Sequence, residues 1–196
     1  MKDEIAAKRY DAVTRILHWV MALLIAGAWL LASVADDYPK GPERQWVMDL
    51  HRSVGVMVFA LVILRIVWRR LNPPPALPAA TPALVRRGAA AGHIVLYVLM
   101  LALPAIGIAL TWAAGRPVTV FGLFTLPPLF GANHDLKEVL EEVHAVLGNG
   151  ILVVAGLHAA AALFHQYVLK DGVLGRMLPW PAGSRAKGMA KEMNLT

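Results

Sequence analysis

The chain has 196 residues, of which 58% are hydrophobic and only 16% are charged, and its formal net charge is +6. This composition is typical of a one-domain membrane protein rather than a soluble globular one. We attribute the positive charge to membrane topology and expect no nucleic acid as a partner. The absence of cysteine excludes disulfides and iron–sulfur clusters held by thiolates.

Four apolar stretches follow one another along the chain. Each is close to the length of about 20 residues that a helix needs to cross a bilayer. They lie at about residues 16–35, 50–68, 91–113 and 143–168. The sequence therefore predicts an all-α, integral membrane four-helix bundle that forms a single domain over residues 1–196, with a basic tail at 169–196.

The connections between these stretches differ in character. The first, at about 36–49, is polar, and the second is too rich in proline for a helix. The third, 115–136, is apolar but too short and proline-broken to span, so we expect it on the outer interface, either covering a site or as a plain loop. We expect His134 to be an exposed loop residue, and Pro104 and Gly107 to form a tolerated kink in the third helix.

The distribution of Lys and Arg predicts the orientation. Most of the 19 basic residues lie at the N-terminus, around the second connection or in the tail. The positive-inside rule therefore places both termini in the cytoplasm. The opposite, outer side is net negative, and its few cations are Lys40, Arg44, Arg52, Arg116 and Lys137.

Four histidines lie in or beside the apolar stretches, namely His18, His51, His144 and His158. His144 and His158 are fourteen residues apart, so they share a helix face and differ in depth by about 21 Å. Combined with the helix directions, this places His18 and His158 near the inner surface, and His51 and His144 near the outer one. Each pair joins two different helices at one depth.

Such pairs are the arrangement that a haem with two axial histidines requires. A single buried histidine is more simply explained by a hydrogen bond between helices, but four that match in depth favour haem. One zinc site is excluded, because zinc ligands lie about 2 Å from the ion. Without cysteine, both haems must be non-covalent, and with both axial positions filled they would carry electrons rather than bind oxygen.

Four nearby residues are candidates for supporting roles. Gly55 and Gly148 each follow an outer histidine by one helical turn, where a missing side chain leaves room either for a flat macrocycle or for close helix packing. Arg15 lies one turn before the first histidine and Arg52 directly follows the second. Each is a possible partner of a haem propionate or an interfacial anchor.

Four segments carry a resemblance to a known family: ILHW at 16–19, LHRSVG at 50–55, GHIVLY at 92–97 and GLHAAAALFH at 156–165. With these, the chain resembles the bacterial cytochrome b561 family over about residues 8–180. The resemblance implies two haem b groups with the axial pairs His18/His158 and His51/His144. It also implies a multi-pass protein of the bacterial inner membrane, in contact with lipid.

The resemblance further implies quinone-linked electron transfer, because family members pass electrons to ubiquinone and some take them from superoxide on the outer side. We therefore expect an oxidoreductase of the superoxide:ubiquinone type with a small outer donor. The net-negative outer side would repel an anion, unless Arg52, Arg116 or Lys137 forms a local positive patch. The alternative is a haem b cytochrome subunit that relays electrons for a dehydrogenase or hydrogenase complex; a haem-free transporter is disfavoured by the paired histidines.

Two further histidines are candidates for a quinone site. His165 follows His158 by seven residues, so it shares that face and lies about 10 Å nearer the cytoplasm. His93, at the inner end of the third helix, has similar access to a quinone or a propionate. The alternative for each is a histidine that merely sits at the membrane interface.

Overall fold

The structure is a computed structural model that describes residues 9–75 and 81–178. Four long helices dominate it, and each is long and apolar enough to cross a membrane. They are α1 Ala12–Asp36, α2 Pro42–Leu71, α3 Ala83–Ala113 and α4 His134–Phe164, which continues as a π-helical turn at His165–Leu169. The all-α membrane bundle predicted from the sequence is confirmed.

The helices extend beyond the apolar stretches because their polar ends are capped. The Asp11 carboxylate accepts a hydrogen bond from the Thr14 amide at 2.9 Å, which starts α1 before the predicted residue 16. Asn133 caps α4 in the same way through the Leu136 amide at 2.9 Å. The prediction that His134 is a loop residue is therefore wrong, since it is the first residue of α4, although its side chain is exposed.

Neighbouring helices in the chain pack against each other, most closely α1 with α2 and α3 with α4. Helix α2 contributes four of the buried apolar side chains, Val47, Val54, Val58 and Val62. Many other large apolar side chains of the spans remain exposed on the bundle surface. This is the pattern expected where lipid, rather than protein, covers the outside of the helices.

The third connection contains a small β-hairpin, with β1 Val118–Val120 and β2 Phe124–Leu126 pairing antiparallel. Its first strand packs on α2, where the buried Ser53 hydroxyl accepts a hydrogen bond from the Phe121 amide at 2.9 Å. Phe121 has φ +50°, a conformation that side chains other than glycine rarely adopt, so this bond holds an unfavourable turn. We call this the hairpin end of the bundle.

The opposite end, the terminal end, carries the first and the last described residues, 9 and 178. The described part of the basic tail folds back onto the start of α1, where the Tyr10 amide donates to the Arg176 carbonyl at 3.2 Å. The Trp19 indole donates to the Met177 carbonyl at 2.9 Å. The tail that follows α4 therefore packs against the start of α1, as far as residue 178. The rest of the predicted tail lies outside the described residues.

Candidate functional site

The structure brings the four predicted histidines together as two pairs. At the terminal end, the ring centres of His18 and His158 are 6.2 Å apart. At the hairpin end, those of His51 and His144 are 6.1 Å apart. Two imidazoles that bind opposite faces of one iron, at about 2 Å each, have ring centres about 6 Å apart. Both pairs thus fit an iron between them, and α4 contributes one histidine to each.

The orientation of His51 is fixed by a backbone carbonyl. Its Nδ1 atom lies 2.7 Å from the carbonyl oxygen of Ala28 on α1. A carbonyl can only accept, so Nδ1 must carry the hydrogen and Nε2 keeps a free lone pair. This is the arrangement in which metal-binding histidines are usually held, with the second nitrogen donating to a carbonyl.

His144 is held by the shape of α3. A Cβ atom at Gly107 would lie 3.1 Å from Cε1 of His144, so only glycine leaves the ring its present place. The Nδ1 atom of His144 is buried beside the backbone of Leu103, without a hydrogen bond of ordinary geometry to any described residue. Gly107 was predicted only as part of a kink with Pro104, and its contact with His144 was missed.

An open cavity lies between the histidines of the hairpin end and contains about 730 Å³ of space not filled by protein atoms, part of it continuous with the outside. His51, His144 and Val118 of the hairpin line it. Gly55 lines it too, and no atom lies within 4 Å of where its Cβ would be. Gly148 is equally open. At Gly55, of the two alternatives, the geometry favours room for a flat group over close helix packing.

The two arginines predicted as propionate partners lie in different surroundings. Arg52 lines the cavity with only 12% of its side chain exposed and forms an ion pair with Asp49. Arg15 donates a hydrogen bond to the Leu178 carbonyl at 3.1 Å and so helps to hold the tail on α1. Arg52 is thus placed to contact a group bound in the cavity. Arg15 instead uses its guanidinium to hold the tail against α1.

Two more cations, Arg116 and Lys137, line the same cavity, so the positive patch considered from the sequence exists. Each has an oxygen partner, because Arg116 donates to the Gln45 amide oxygen at 3.1 Å and Lys137 pairs with Glu141. The cavity lining thus carries three cations against the one carboxylate of Glu141, although the predicted outer side as a whole is negative. Val118 of the hairpin also lines the cavity, which favours the covering role predicted for this segment over a plain loop.

A third histidine joins the pair at the terminal end. The ring centre of His93 lies 5.2 Å from that of His158, which is shorter than the spacing that fits an intervening iron. His93 therefore lies beside His158 rather than across from it. On α2, Arg65 donates a hydrogen bond to the Tyr97 hydroxyl at 3.0 Å.

His165 is partly buried at the start of the π-helical turn and shares a hydrogen bond with the Asp171 carboxylate through Nδ1. Burial alone would raise the pKa of Asp171, but hydrogen bonds from His165 and from the Val173 amide, with the charges of His165 and Arg176, hold that pKa below its usual value. The carboxylate thus stays ionised and fixes the ring of His165. Asp171 was not predicted as a site residue.

Comparison with known proteins is consistent over nearly the whole chain. Residues 9–180 match the family model of prokaryotic cytochrome b561. The chain is 38% identical over 177 residues to the probable superoxide oxidase CybB of Yersinia pestis, covering 90% of this chain and 99% of that protein. It is 33% identical to cytochrome b561 homolog 2 of Escherichia coli K12, covering 87% of this chain and 92% of that protein.

Cytochrome b561 homolog 1 of the same strain is 32% identical, over 87% of this chain and 97% of its own length. Four membrane-spanning helices and paired histidines at two depths agree with these full-length similarities. The chain belongs to the prokaryotic cytochrome b561 family, haem-b-binding electron-transfer proteins of the bacterial membrane.

Proposed function

We propose that the protein carries electrons across the inner membrane, from a small donor at the hairpin end to ubiquinone at the terminal end. One observation carries the proposal. Two histidine pairs lie at opposite ends of one bundle, and their ring centres are 6.2 Å apart in one pair and 6.1 Å apart in the other. His18 and His158 would hold one haem b, and His51 and His144 a second. When bound, each haem supplies a one-electron carrier without an open site for oxygen.

The protein's own residues would prepare the iron site of the hairpin end. The Ala28 carbonyl keeps the Nε2 lone pair of His51 available, and Gly107 leaves space for the ring of His144. Gly55 leaves room beside that pair. Because these positions are set by packed helices rather than loops, little rearrangement would accompany a change of charge on the iron, which favours fast electron transfer.

The proposed donor is superoxide. Arg52, Arg116 and Lys137 line the cavity of the hairpin end, and a positive entrance attracts a small anion. With the termini in the cytoplasm, as the positive-inside rule predicts, this entrance faces outward. The similarity to a protein named as a probable superoxide oxidase supports the same donor. Each superoxide would give up one electron and leave as O₂.

The proposed acceptor is ubiquinone, bound near His165. Its Nδ1–H donates to the Asp171 carboxylate, and when Nε2 also carries a proton, that N–H would donate to a quinone carbonyl entering from the bilayer. Two electrons, from two superoxide anions, and two protons would convert one ubiquinone to ubiquinol. The ionised Asp171 would stabilise a proton on His165 as it moves to the reduced quinone. His93, beside His158, is a second candidate for contact with the quinone.

The test combines haem counting with stopped-flow spectroscopy on the purified full chain. We expect two haems per chain by pyridine haemochrome assay, reduction of the haems by enzymatically generated superoxide, and reoxidation by a soluble ubiquinone analogue. One haem or none would overturn the proposal. Two haems that superoxide does not reduce would remove the donor and favour a subunit relaying electrons for a dehydrogenase or hydrogenase.

A further inference from the structure

Arg65 is a cation within the second membrane span, and its partners are neutral. Its Nε atom donates to the Tyr97 hydroxyl at 3.0 Å, and one Nη lies 3.5 Å from Nδ1 of His18. Within residues 9–75 and 81–178, no carboxylate lies within ion-pair distance of Arg65. A charge at such a position is costly and marks a functional residue by default.

The hairpin end treats its cations differently. Arg52 forms an ion pair with Asp49, and Lys137 with Glu141, so two of the three cations that line its cavity have a negative neighbour, whereas Arg116 donates to the neutral Gln45 amide. At the terminal end, the charge of Arg65 acts on His18 and His158, whereas His93 is influenced by Arg69 as well as by Arg65. The two ends have similar histidine pairs but different electric fields.

We propose that Arg65 raises the reduction potential of the haem at the terminal end above that of the haem at the hairpin end. This inference rests on the proposed haem sites. Reduction adds one negative charge to a haem, and a fixed positive charge nearby lowers the energy of that reduced form. The effect is strong in a low-dielectric interior, and a guanidinium keeps its charge in proteins.

The consequence is a direction for electron flow. With haems held by the two histidine pairs, each would supply a one-electron carrier, and the charge of Arg65 would favour passage of one electron from the hairpin end to the terminal end. No bond is made or broken, and no proton is needed in this step. Superoxide supplies the electron and ubiquinone later removes it. Arg65 is thus a positioning and electrostatic residue that makes transfer toward the quinone favourable.

The experiment is a potentiometric titration of the full chain, followed through the visible haem bands, after the haems have been counted. Arg65→Gln removes the charge and Arg65→Lys keeps it. Arg69→Gln is the matched control, because it removes the same charge one turn farther along α2, at an exposed position. The His51→Ala variant identifies which component belongs to the terminal end.

We expect Arg65→Gln to shift the reduction equilibrium of the terminal haem at least tenfold toward the oxidised form, which is 59 mV for one electron, and to leave the hairpin haem unchanged. Arg65→Lys should stay close to the parent, and Arg69→Gln should shift the equilibrium much less than Arg65→Gln. If Arg65→Lys keeps the parent potential, the effect of Arg65 comes from its charge and not from a purely structural role in holding Tyr97.

Several results would overturn the inference while leaving the proposed function intact. These are two haems in Arg65→Gln with unchanged potentials, a terminal haem that is not the higher-potential one in the parent, or an equal shift in Arg69→Gln. If Arg65→Gln loses the terminal haem, Arg65→Lys decides: a retained haem at the parent potential supports the inference, and a lost haem or lowered potential refutes it. Fewer than two haems in the parent would instead refute the proposed function.

Discussion

The hairpin end and the terminal end hold the same kind of histidine pair in different surroundings. At the hairpin end, an open cavity is lined by cations with nearby oxygen partners, and a β-hairpin covers part of it. At the terminal end, a third histidine and an arginine without an acidic partner among the described residues gather beside the pair. Under the proposed function, the same kind of histidine pair would serve two tasks, accepting an electron from solution and passing it on, because the charges around each pair differ.

The strongest way to break this comparison is to remove one histidine at a time. We expect His51→Ala or His144→Ala to remove only the haem of the hairpin end, and His18→Ala or His158→Ala only that of the terminal end, since each iron loses an axial ligand. Haem content per chain should fall by half in every case. Pyridine haemochrome assays with low-temperature visible spectra measure both the count and the component lost.

The matched control for these variants is His134→Ala, because His134 lies on α4 with 77% of its side chain exposed. It should keep both haems. If His18→Ala and His51→Ala removed the same spectral component, the pairing of the helices and with it the comparison of two ends would be wrong.

The second test concerns the transfer of electrons to the quinone, which should depend on the terminal end alone. We expect His165→Ala to slow haem reoxidation by a ubiquinone analogue tenfold or more, because a positioned acid–base group contributes at least that much to a proton-coupled step. Reduction at the hairpin end should keep its rate. Stopped-flow reoxidation measures the effect, with both haems counted beforehand. An unchanged rate in a fully loaded variant would exclude His165 from the quinone site.

The attachment of the β-hairpin to α2 can be weakened without changing the histidines. Ser53→Ala leaves the Phe121 amide without its acceptor, which costs about 0.5–1.5 kcal/mol, the net contribution of a typical hydrogen bond. Because Phe121 also has an unfavourable φ, we expect the hairpin to detach and its amides to exchange faster with deuterium. Thr125→Ala, which removes only the exposed Thr119–Thr125 hydroxyl contact, is the control. Equal protection in the Ser53 variant would show that the hairpin is held by other contacts.

A smaller effect is expected from Gly107→Ala. The added Cβ would lie 3.1 Å from Cε1 of His144, so the ring must shift by a few tenths of an ångström, at a cost of about 1 kcal/mol. We expect the visible spectrum of the haem at the hairpin end to change slightly, and this haem to be lost at a slightly lower temperature. The haem at the terminal end should be unaffected. Gly88→Ala, on the same helix with no atom within 4 Å, should change neither. Identical spectra of the Gly107 variant and the parent would mean that the His144 ring is free to move.

The sequence predicted most completely those features that depend on residues close together along the chain. The spacing of His144 and His158 sets their shared face and their difference in depth through helix geometry alone. The apolar stretches set the number of spans through bilayer thickness. Polar ends were harder: α4 begins at His134, well before its apolar part, because Asn133 caps it and the intervening residues can be helical in water as well.

The remaining features depend on how each helix is rotated about its own axis, which hydropathy does not specify. The Ala28 carbonyl under His51, Gly107 against His144, and His93 beside His158 are all contacts between different helices. Ser53 meets the hairpin across 68 residues of sequence. In these cases, the residue types alone allow several partners, and only the packing of the helices selects one, because a contact needs two faces to meet at the same depth.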